Sequence, residues 1–348
     1  MMIDLRSDTK TKPTPEMRAA IAAAEVGDEQ RREDPTVNEL ERRTAELLGQ
    51  EEAVYVPTAT MANEIALRCL GEPGDEVVAE ENSHIFVSEL GGPAVHAGLM
   101  TRPLRCPAGR FTAEQLRETV RHGDGTHTPA TRIVSVENTH NQSGGRVWRL
   151  DELDAVVSTG RELGLRLHLD GARVLNAAVA LDVPAADLGR PFDTVTLCLS
   201  KGLGCPLGAL VAGSPELMAR ARRFKHLFGG AMRQAGIVAA AGVYALEHNV
   251  ERLVDDHARA RRLGEALHDA GVPVDLEQVE TNFVQVDVAP LGLSVEEALE
   301  RLAEAGVGLS MTMHATRLRA VTHLDVDDED IDRAVELIPR ALGALARA

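Results

Sequence analysis

Short apolar runs separated by amphipathic stretches fill the first two thirds of the chain. AVYV (53–56), EVVAE (76–80), RIVSVEN (132–138), LRLHLD (165–170), TVTLCLS (194–200) and GALVAG (208–213) are nearly continuous in apolar or β-branched residues. Runs this short predict strands rather than helices, buried on both faces. Between them, MANEIALRCL (61–70) and LDELDAVVSTGRELG (150–164) carry apolar residues at helical spacing. The alternation predicts an α/β fold, a mostly parallel sheet with helices on both sides. Past Asn249 the pattern changes. A long helix over about 250–270 is followed by VPVDLE, TNFVQVDV, a helix near 295–305, VGLSMT, LRAVTH and a closing helix from about Asp328. That order predicts a smaller α+β unit with an antiparallel sheet. The expected organisation is an extended N-terminal arm (1–14), a large domain (15–249) and a small C-terminal domain (250–348).

Composition narrows the function. The 348 residues are 44% hydrophobic and 26% charged, as in ordinary globular proteins, and the formal net charge is −17. That charge, with only 3% aromatic residues, argues against nucleic acid and anionic membranes as partners. Any anion site has to be built locally from arginines and helix ends. The four cysteines, Cys69, Cys106, Cys198 and Cys205, form no C-x-x-C pair and no metal-ligand spacing, so a reducing cytoplasm and no metal site are expected. The opening MMIDLRSDTK has no apolar core of a secretory signal, and AGIVAAAGVYAL (235–246) is too short to span a bilayer.

The chemistry gathers at strand ends. LRLHLD ends in Asp170, followed by Gly171, Ala172 and Arg173, and TVTLCLS leads into Lys201, 31 positions beyond Asp170. Ligands of α/β sheets sit at the carboxyl ends of strands, so Asp170 and Lys201 can share one rim. A strand-end lysine whose head simply reaches water is one reading; a lysine that forms a Schiff base is the other. Pyridoxal phosphate needs such a lysine, a carboxylate to keep its ring nitrogen protonated, and a cradle for its phosphate. PTATMANE (57–64) offers the cradle, since Thr58, Ala59 and Thr60 open a helix after a strand. Taken singly, D-G-A is a common turn and T-x-T an ordinary helix cap.

Together these residues resemble the low-specificity L-threonine aldolases, pyridoxal phosphate enzymes with the aspartate-aminotransferase-like fold (fold type I). The resemblance runs in register from IDLRSDT (3–9) to VTHLDV (321–326). It includes EDPTVNELE (33–41), ENTHN (137–141), HLDGARVLNA (168–177), CLSKGLGCPLG (198–208) and GGAMRQAG (229–236). It implies Lys201 as the internal-aldimine lysine, Asp170 as the partner of the pyridinium nitrogen and His84 as the imidazole stacked on the ring. Thr58, Ala59 and Thr60 match the phosphate loop. Arg233 matches an arginine that reaches a phosphate across a subunit contact, which implies a homotetramer built from tight dimers. Ser7, Arg173 and Arg319 match the groups that hold the substrate carboxylate, and His127 matches a second active-site histidine. The implied reaction is retro-aldol cleavage of L-threonine, L-allo-threonine or related β-hydroxy-α-amino acids to glycine and an aldehyde. His84, His127 or a water held by both takes the hydroxyl proton.

The chain departs from the family pattern at three places. Where many members read V-G-D-x-x-Y-G-[ED]-D-P-T, this chain has VGDEQRREDPT, with Arg31 and Arg32 for tyrosine and glycine. Ala59 replaces a common glycine, and Lys225 and His226 stand where many members have arginine and lysine. Arg31 and Arg32 either pair with Glu29, Glu33 or Asp34 at the surface or face the site and favour polar or anionic substrates. Rival functions are transaldolation, β-elimination or alanine racemisation on the same scaffold, and a non-catalytic sensor of pyridoxal phosphate or an amino acid.

Overall fold

The computed structural model describes residues 2–123 and 125–344; Met1 and the last four residues of the expected small domain lie outside the described residues. Seven strands form the main sheet: β1 (Glu52–Val56), β2 (Glu76–Glu80), β3 (Met100–Leu104), β4 (Thr131–Glu137), β5 (Arg166–Asp170), β6 (Thr194–Cys198) and β7 (Ala209–Gly213). Their spatial order is β1-β7-β6-β5-β4-β2-β3. β7 runs antiparallel to both neighbours and all other pairings are parallel. Every residue of β2, β6 and β7 is buried, which is why these segments read as continuous apolar runs.

Helices Pro35–Leu48, Leu150–Glu162, Val174–Leu181 and Gly236–His248 contribute to one large core cluster. Helices Ala59–Leu70 and Pro215–Leu227 pack with β1 and β7 in another. The Ala59–Leu70 helix is buried at seven positions, among them Asn63 and Glu64, so it is not the simply amphipathic helix its pattern predicts. Its inward polar residues belong to the site described below. β3 was not legible as a strand. It is an edge strand, mostly exposed, and Pro103 sits in it where a central strand would lose a ladder bond.

A second core gathers Ala260, Leu263 and Leu267 from helix Leu253–Asp269 with residues of helices Val295–Glu304 and Asp328–Leu342. They cover a three-stranded antiparallel sheet of β8 (Phe283–Asp287), β9 (Ser310–Met311) and β10 (Arg317–Val321), in the order β9-β10-β8. The N-terminal arm is extended and firmly docked here. Ile3–Asp4 pairs in parallel with Val307–Gly308, and Ile3 and Leu5 are buried in this second core. The amide of Val321 donates to Leu5 O at 2.8 Å. That docking carries Ser7 and Asp8 from the N-terminus toward the main sheet.

Candidate active site

β4 and β5 end side by side, with Glu137 and Asp170 as register partners. Gly171 follows; a Cβ there would meet Thr196 O at 2.5 Å, so glycine lets the turn after β5 lie against β6. Asp170 is buried, and its two oxygens accept from Asn63 Nδ2 at 2.9 Å and from the Ala172 amide at 3.2 Å. Asn63 is the hub of this floor. Its amide nitrogen also donates to Glu89 Oε1 at 2.9 Å, and its oxygen accepts from Thr196 Oγ1 at 2.9 Å and His168 Nε2 at 3.2 Å. Because Asn63 Oδ1 carries no proton, His168 holds its proton on Nε2, and Nδ1 faces the Thr194 hydroxyl at 2.9 Å. Burial lowers the His168 pKa to about 4, so the ring is neutral at physiological pH.

His84 opens a short helix beside this floor. Its amide donates to Glu137 Oε2 at 2.6 Å, and its Nδ1 lies 2.6 Å from Glu89 Oε1. Glu89 is buried and acts as acceptor, so Nδ1 bears the proton and Nε2 is the ring nitrogen left to meet a ligand. Burial opposes a charge on His84. The hydrogen bond to Glu89 and the charges of Asp170, Glu89 and Glu137 outweigh it and raise the pKa above the ordinary histidine value. His84, Glu89 and Asp170 offer donor atoms within 4.8 Å of one another. The Glu89 and Asp170 donors already accept hydrogen bonds from within the chain, an arrangement that suits a protonated ring nitrogen better than a metal ion.

The opposite wall is cationic. Arg173 is buried and makes a two-pronged contact with Asp8, Nε to Oδ2 at 2.6 Å and Nη2 to Oδ1 at 2.7 Å. Burial alone would raise the Asp8 pKa; the guanidinium of Arg173, with Lys201 and Arg319 nearby, holds it well below the usual carboxylate range. Arg319, from β10, donates from Nε to Ser310 Oγ at 3.1 Å. Arg173 Nη1 and Arg319 Nη1 converge on one oxygen, Asn141 Oδ1, at 3.4 and 2.8 Å. Both guanidinium groups lie against the Phe283 ring, at 4.9 and 5.5 Å from its centroid. Burial, with the charge of Arg173 beside it, lowers the Arg319 pKa to about 10. Two arginines this close favour an anion between them. Lys201 is half-buried on the turn after β6, and its carbonyl accepts from Thr11 Oγ1 at 2.8 Å and the Gly204 amide at 2.9 Å. Among the described residues no carboxylate forms an ion pair with its ammonium group. Ser7 lies next to Asp8 and caps the short helix that Asp8 opens, accepting from the Thr9 amide at 3.2 Å.

The chain therefore brings together Lys201, Asp170, His84, Arg173, Arg319 and the Ser7–Asp8 turn. Of the other five expected residues, Ala59 is half-buried and Thr58, Thr60, Arg233 and His127 are exposed. Thr58 caps the Ala59–Leu70 helix by accepting from the Met61 amide at 3.2 Å, which leaves the first amides of the helix, including those of Ala59 and Thr60, without an intrahelical partner. Arg233 is 62% exposed and pairs with Asp28 at 3.0 Å. His127 stands on the exposed segment that leads into the amino end of β4, opposite the end that carries Glu137, so one chain does not bring it to Lys201. Arg31 is 74% exposed and lies 3.9 Å from Asp28. Arg32 adopts φ 60°, a left-handed conformation that favours glycine, the residue many members of the resembling family carry there. Lys225, another departure, is buried on Glu29 at 2.5 Å and ties the Arg31–Arg32 turn to the helix before Arg233.

Asn63, Glu89, Glu137, Asn141 and Asp8 had not been singled out from the sequence. Glu137 and Asn141 lie inside ENTHN and Asp8 inside IDLRSDT, so motif membership could have found them. Glu89, within SEL, carries no local signal.

An unpaired strand-end lysine, a buried aspartate with one donor on each oxygen, a helix N-terminus and a seven-stranded sheet of this order define a pyridoxal-phosphate-dependent enzyme of fold type I. The donor set is of the kind the cofactor needs: a buried carboxylate at Asp170, an amine at Lys201 and helix amides at Ala59 and Thr60 that could hold a phosphate. The chain belongs to the beta-eliminating lyase family, whose model matches residues 4–290. It is 40% identical over 332 residues to the low specificity L-threonine aldolase of Escherichia coli (strain K12), covering 95% of this chain and 96% of that one. It is 36% identical over 345 residues to low-specificity L-threonine aldolase 1 of Arabidopsis thaliana, covering 98% and 96%. Among solved structures, Leishmania major threonine aldolase superposes with a TM-score of 0.84 over 97% of this chain and 99% of that one, at 20% identity. A Thermus thermophilus aspartate aminotransferase double mutant shares the fold with a TM-score of 0.75 over 98% and 91%, at 16% identity.

Proposed function

We propose that this enzyme cleaves L-threonine, L-allo-threonine and related β-hydroxy-α-amino acids to glycine and an aldehyde. The observation that carries the reading is the convergence of Arg173 and Arg319 on one oxygen, with Lys201 also near the Asp8 that Arg173 holds. Bound pyridoxal phosphate supplies the electron sink for the bond that breaks at Cα. Arg173, Arg319 and Ser7 would hold the substrate carboxylate and so fix which bond at Cα is presented for cleavage, Cα–Cβ rather than the bond to the carboxylate. Asp170, fixed by Asn63 and Ala172, would hold the ring nitrogen of the cofactor in its protonated form. Lys201, presented on the turn after β6, would hold the cofactor through its amine. His84 Nε2 takes the proton of the β-hydroxyl, and Glu89 holds the ring so that this nitrogen is the free one.

Replacing His84 with asparagine should lower kcat by ~10²–10⁴-fold, the usual worth of a general base. An equal loss in His127→Asn alone, with His84→Asn near wild type, would transfer the role to His127.

The homotetramer belongs to the same proposal. Leu90 and Val95 are exposed on the segment after Glu89, and Val95 and exposed Leu227 are chain neighbours of a His96–Phe228 contact. A second copy placed over this apolar surface would bury it, and an exposed Arg233 is available to reach a neighbour's phosphate. Sedimentation of an active monomer at assay concentration would refute this. Among the described residues no helix is long and apolar enough to cross a membrane. A cytoplasmic location, to be checked by fractionation, fits four free thiols. The division near Asn249 is also proposed, and limited proteolysis there tests it.

A further inference from the structure

Beside Glu89 lies a second buried carboxyl that the reaction outlined above does not use. Glu64 is 2% exposed on the inner side of the Ala59–Leu70 helix. Both of its oxygens, and Glu89 Oε2, are buried without a hydrogen-bond partner among the described residues. Glu89 Oε1, in contrast, accepts from Asn63 at 2.9 Å and from His84 at 2.6 Å. The backbone at Gly92 closes over the Glu64 carboxyl so tightly that a Cβ there would collide with it. Arg68, one turn along the helix, does not neutralise Glu64. Its guanidinium lies over the Phe224 ring at 5.5 Å and reaches Glu72 at 4.0 Å. Two carboxylates facing each other in such a place cannot both be charged, and one shared proton joins Glu89 Oε2 to one Glu64 oxygen.

We propose that Glu64 is a positioning residue for His84: its carboxyl stays protonated and donates to Glu89 Oε2, so that the pair carries one negative charge and presents it to His84 through Glu89 Oε1. The proposal rests on His84 acting as the base in the aldol cleavage proposed above. The proton is held, not transferred, during turnover. Burial first, then the adjacent Glu89, pushes the Glu64 pKa up to about 9, in keeping with this arrangement. Other charged groups beside His84 are Asp170 and Glu137, and His168, joined to Glu89 through Asn63, is a neutral ring. With Glu64 protonated, Glu89 keeps enough charge to orient His84. Without that hydrogen bond, Glu89 becomes more basic and draws His84 toward its protonated, inactive form.

Infrared difference spectra of the holoenzyme, wild type minus Glu64→Gln, test the proton directly. A protonated-acid carbonyl band near neutral pH, absent from the variant, is expected; its absence from the wild type overturns the proposal. Kinetics test the role. Glu64→Gln keeps a donor for Glu89 Oε2, so kcat should stay within about twofold of wild type. Glu64→Leu removes the donor and should lower kcat at neutral pH by ~10-fold with little change in KM, the loss recovering as pH rises because the acid limb of His84 moves upward. A uniform loss at every pH, or a Glu64→Leu profile superimposable on wild type, overturns the positioning role. If the leucine variant does not fold, the infrared result decides. A wild type that shows the band but cleaves no β-hydroxy amino acid refutes the aldolase reading and leaves the shared proton standing.

Discussion

The floor of the site and its rim are built on opposite terms. On the floor, the Asn63 carboxamide makes four buried hydrogen bonds, to Asp170, Glu89, His168 and Thr196, drawn from three strand or loop segments. At the rim, Thr58, Thr60, Arg32 and Arg233 are exposed, and Arg233 pairs with Asp28 in solvent. Burial explains the contrast. A polar group removed from water must find its partner within the folding chain, so the floor is completed in one chain. Solvated rim groups meet no such demand and stay available to cofactor, substrate or a neighbouring subunit.

The largest effect is expected where the covalent link forms. Lys201→Ala should abolish turnover and the yellow colour of the purified protein while leaving its circular dichroism unchanged. A colourless wild type that remains active after exhaustive cofactor removal would end the pyridoxal reading.

Next comes the hub. Asn63→Ala strips partners from several buried groups at once and should cost about 2–4 kcal/mol in denaturant unfolding, since each unsatisfied buried group costs roughly 1–3 kcal/mol and neighbours relax in part. A loss below about 0.5 kcal/mol would mean that water replaces the side chain and that the floor is not closed.

Arg233→Ala separates rim from floor. Stability should change by less than about 1 kcal/mol, because an exposed ion pair contributes little. Cofactor dissociation, followed by loss of absorbance on dilution, should quicken by ~10-fold for one lost charge-assisted contact to phosphate. Unchanged retention would remove Arg233 from the phosphate site.

The smallest effect concerns the two arginines. Arg32→Gly relieves a left-handed residue and should stabilise the fold by up to about 1 kcal/mol. With Arg31 exposed beside Asp28, the double variant Arg31→Tyr, Arg32→Gly should leave the kcat/KM ratios among threonine, phenylserine and 3-hydroxyaspartate within about twofold. A larger shift would show that an arginine reads the substrate and that the rim is built for specificity.

The same contrast sets what the sequence made legible. The buried strands were clear because two-sided burial leaves a continuous apolar run, whereas edge strand β3 has half its surface in water and a proline in its ladder. Lys201, Asp170 and Arg173 stand out in the sequence because strand ends mark them, whereas Arg319, inside β10, is marked only by the family resemblance. Asn63 and Glu64 were hidden inside a segment that reads as amphipathic, where a polar residue is taken as outward-facing. Only the packing of that helix under His84 shows them turned inward. Asp8 was passed over for a similar reason, since its partner Arg173 is 165 positions away in the chain.

The central claim is that the floor and the arginine pair direct cleavage to Cα–Cβ. The most direct measurement is a full product balance for the purified, pyridoxal-loaded enzyme incubated with L-threonine. Glycine and acetaldehyde in equal amounts, matching the threonine consumed, are predicted. Ammonia with 2-oxobutanoate in their place, or no consumption of threonine at all, would contradict it.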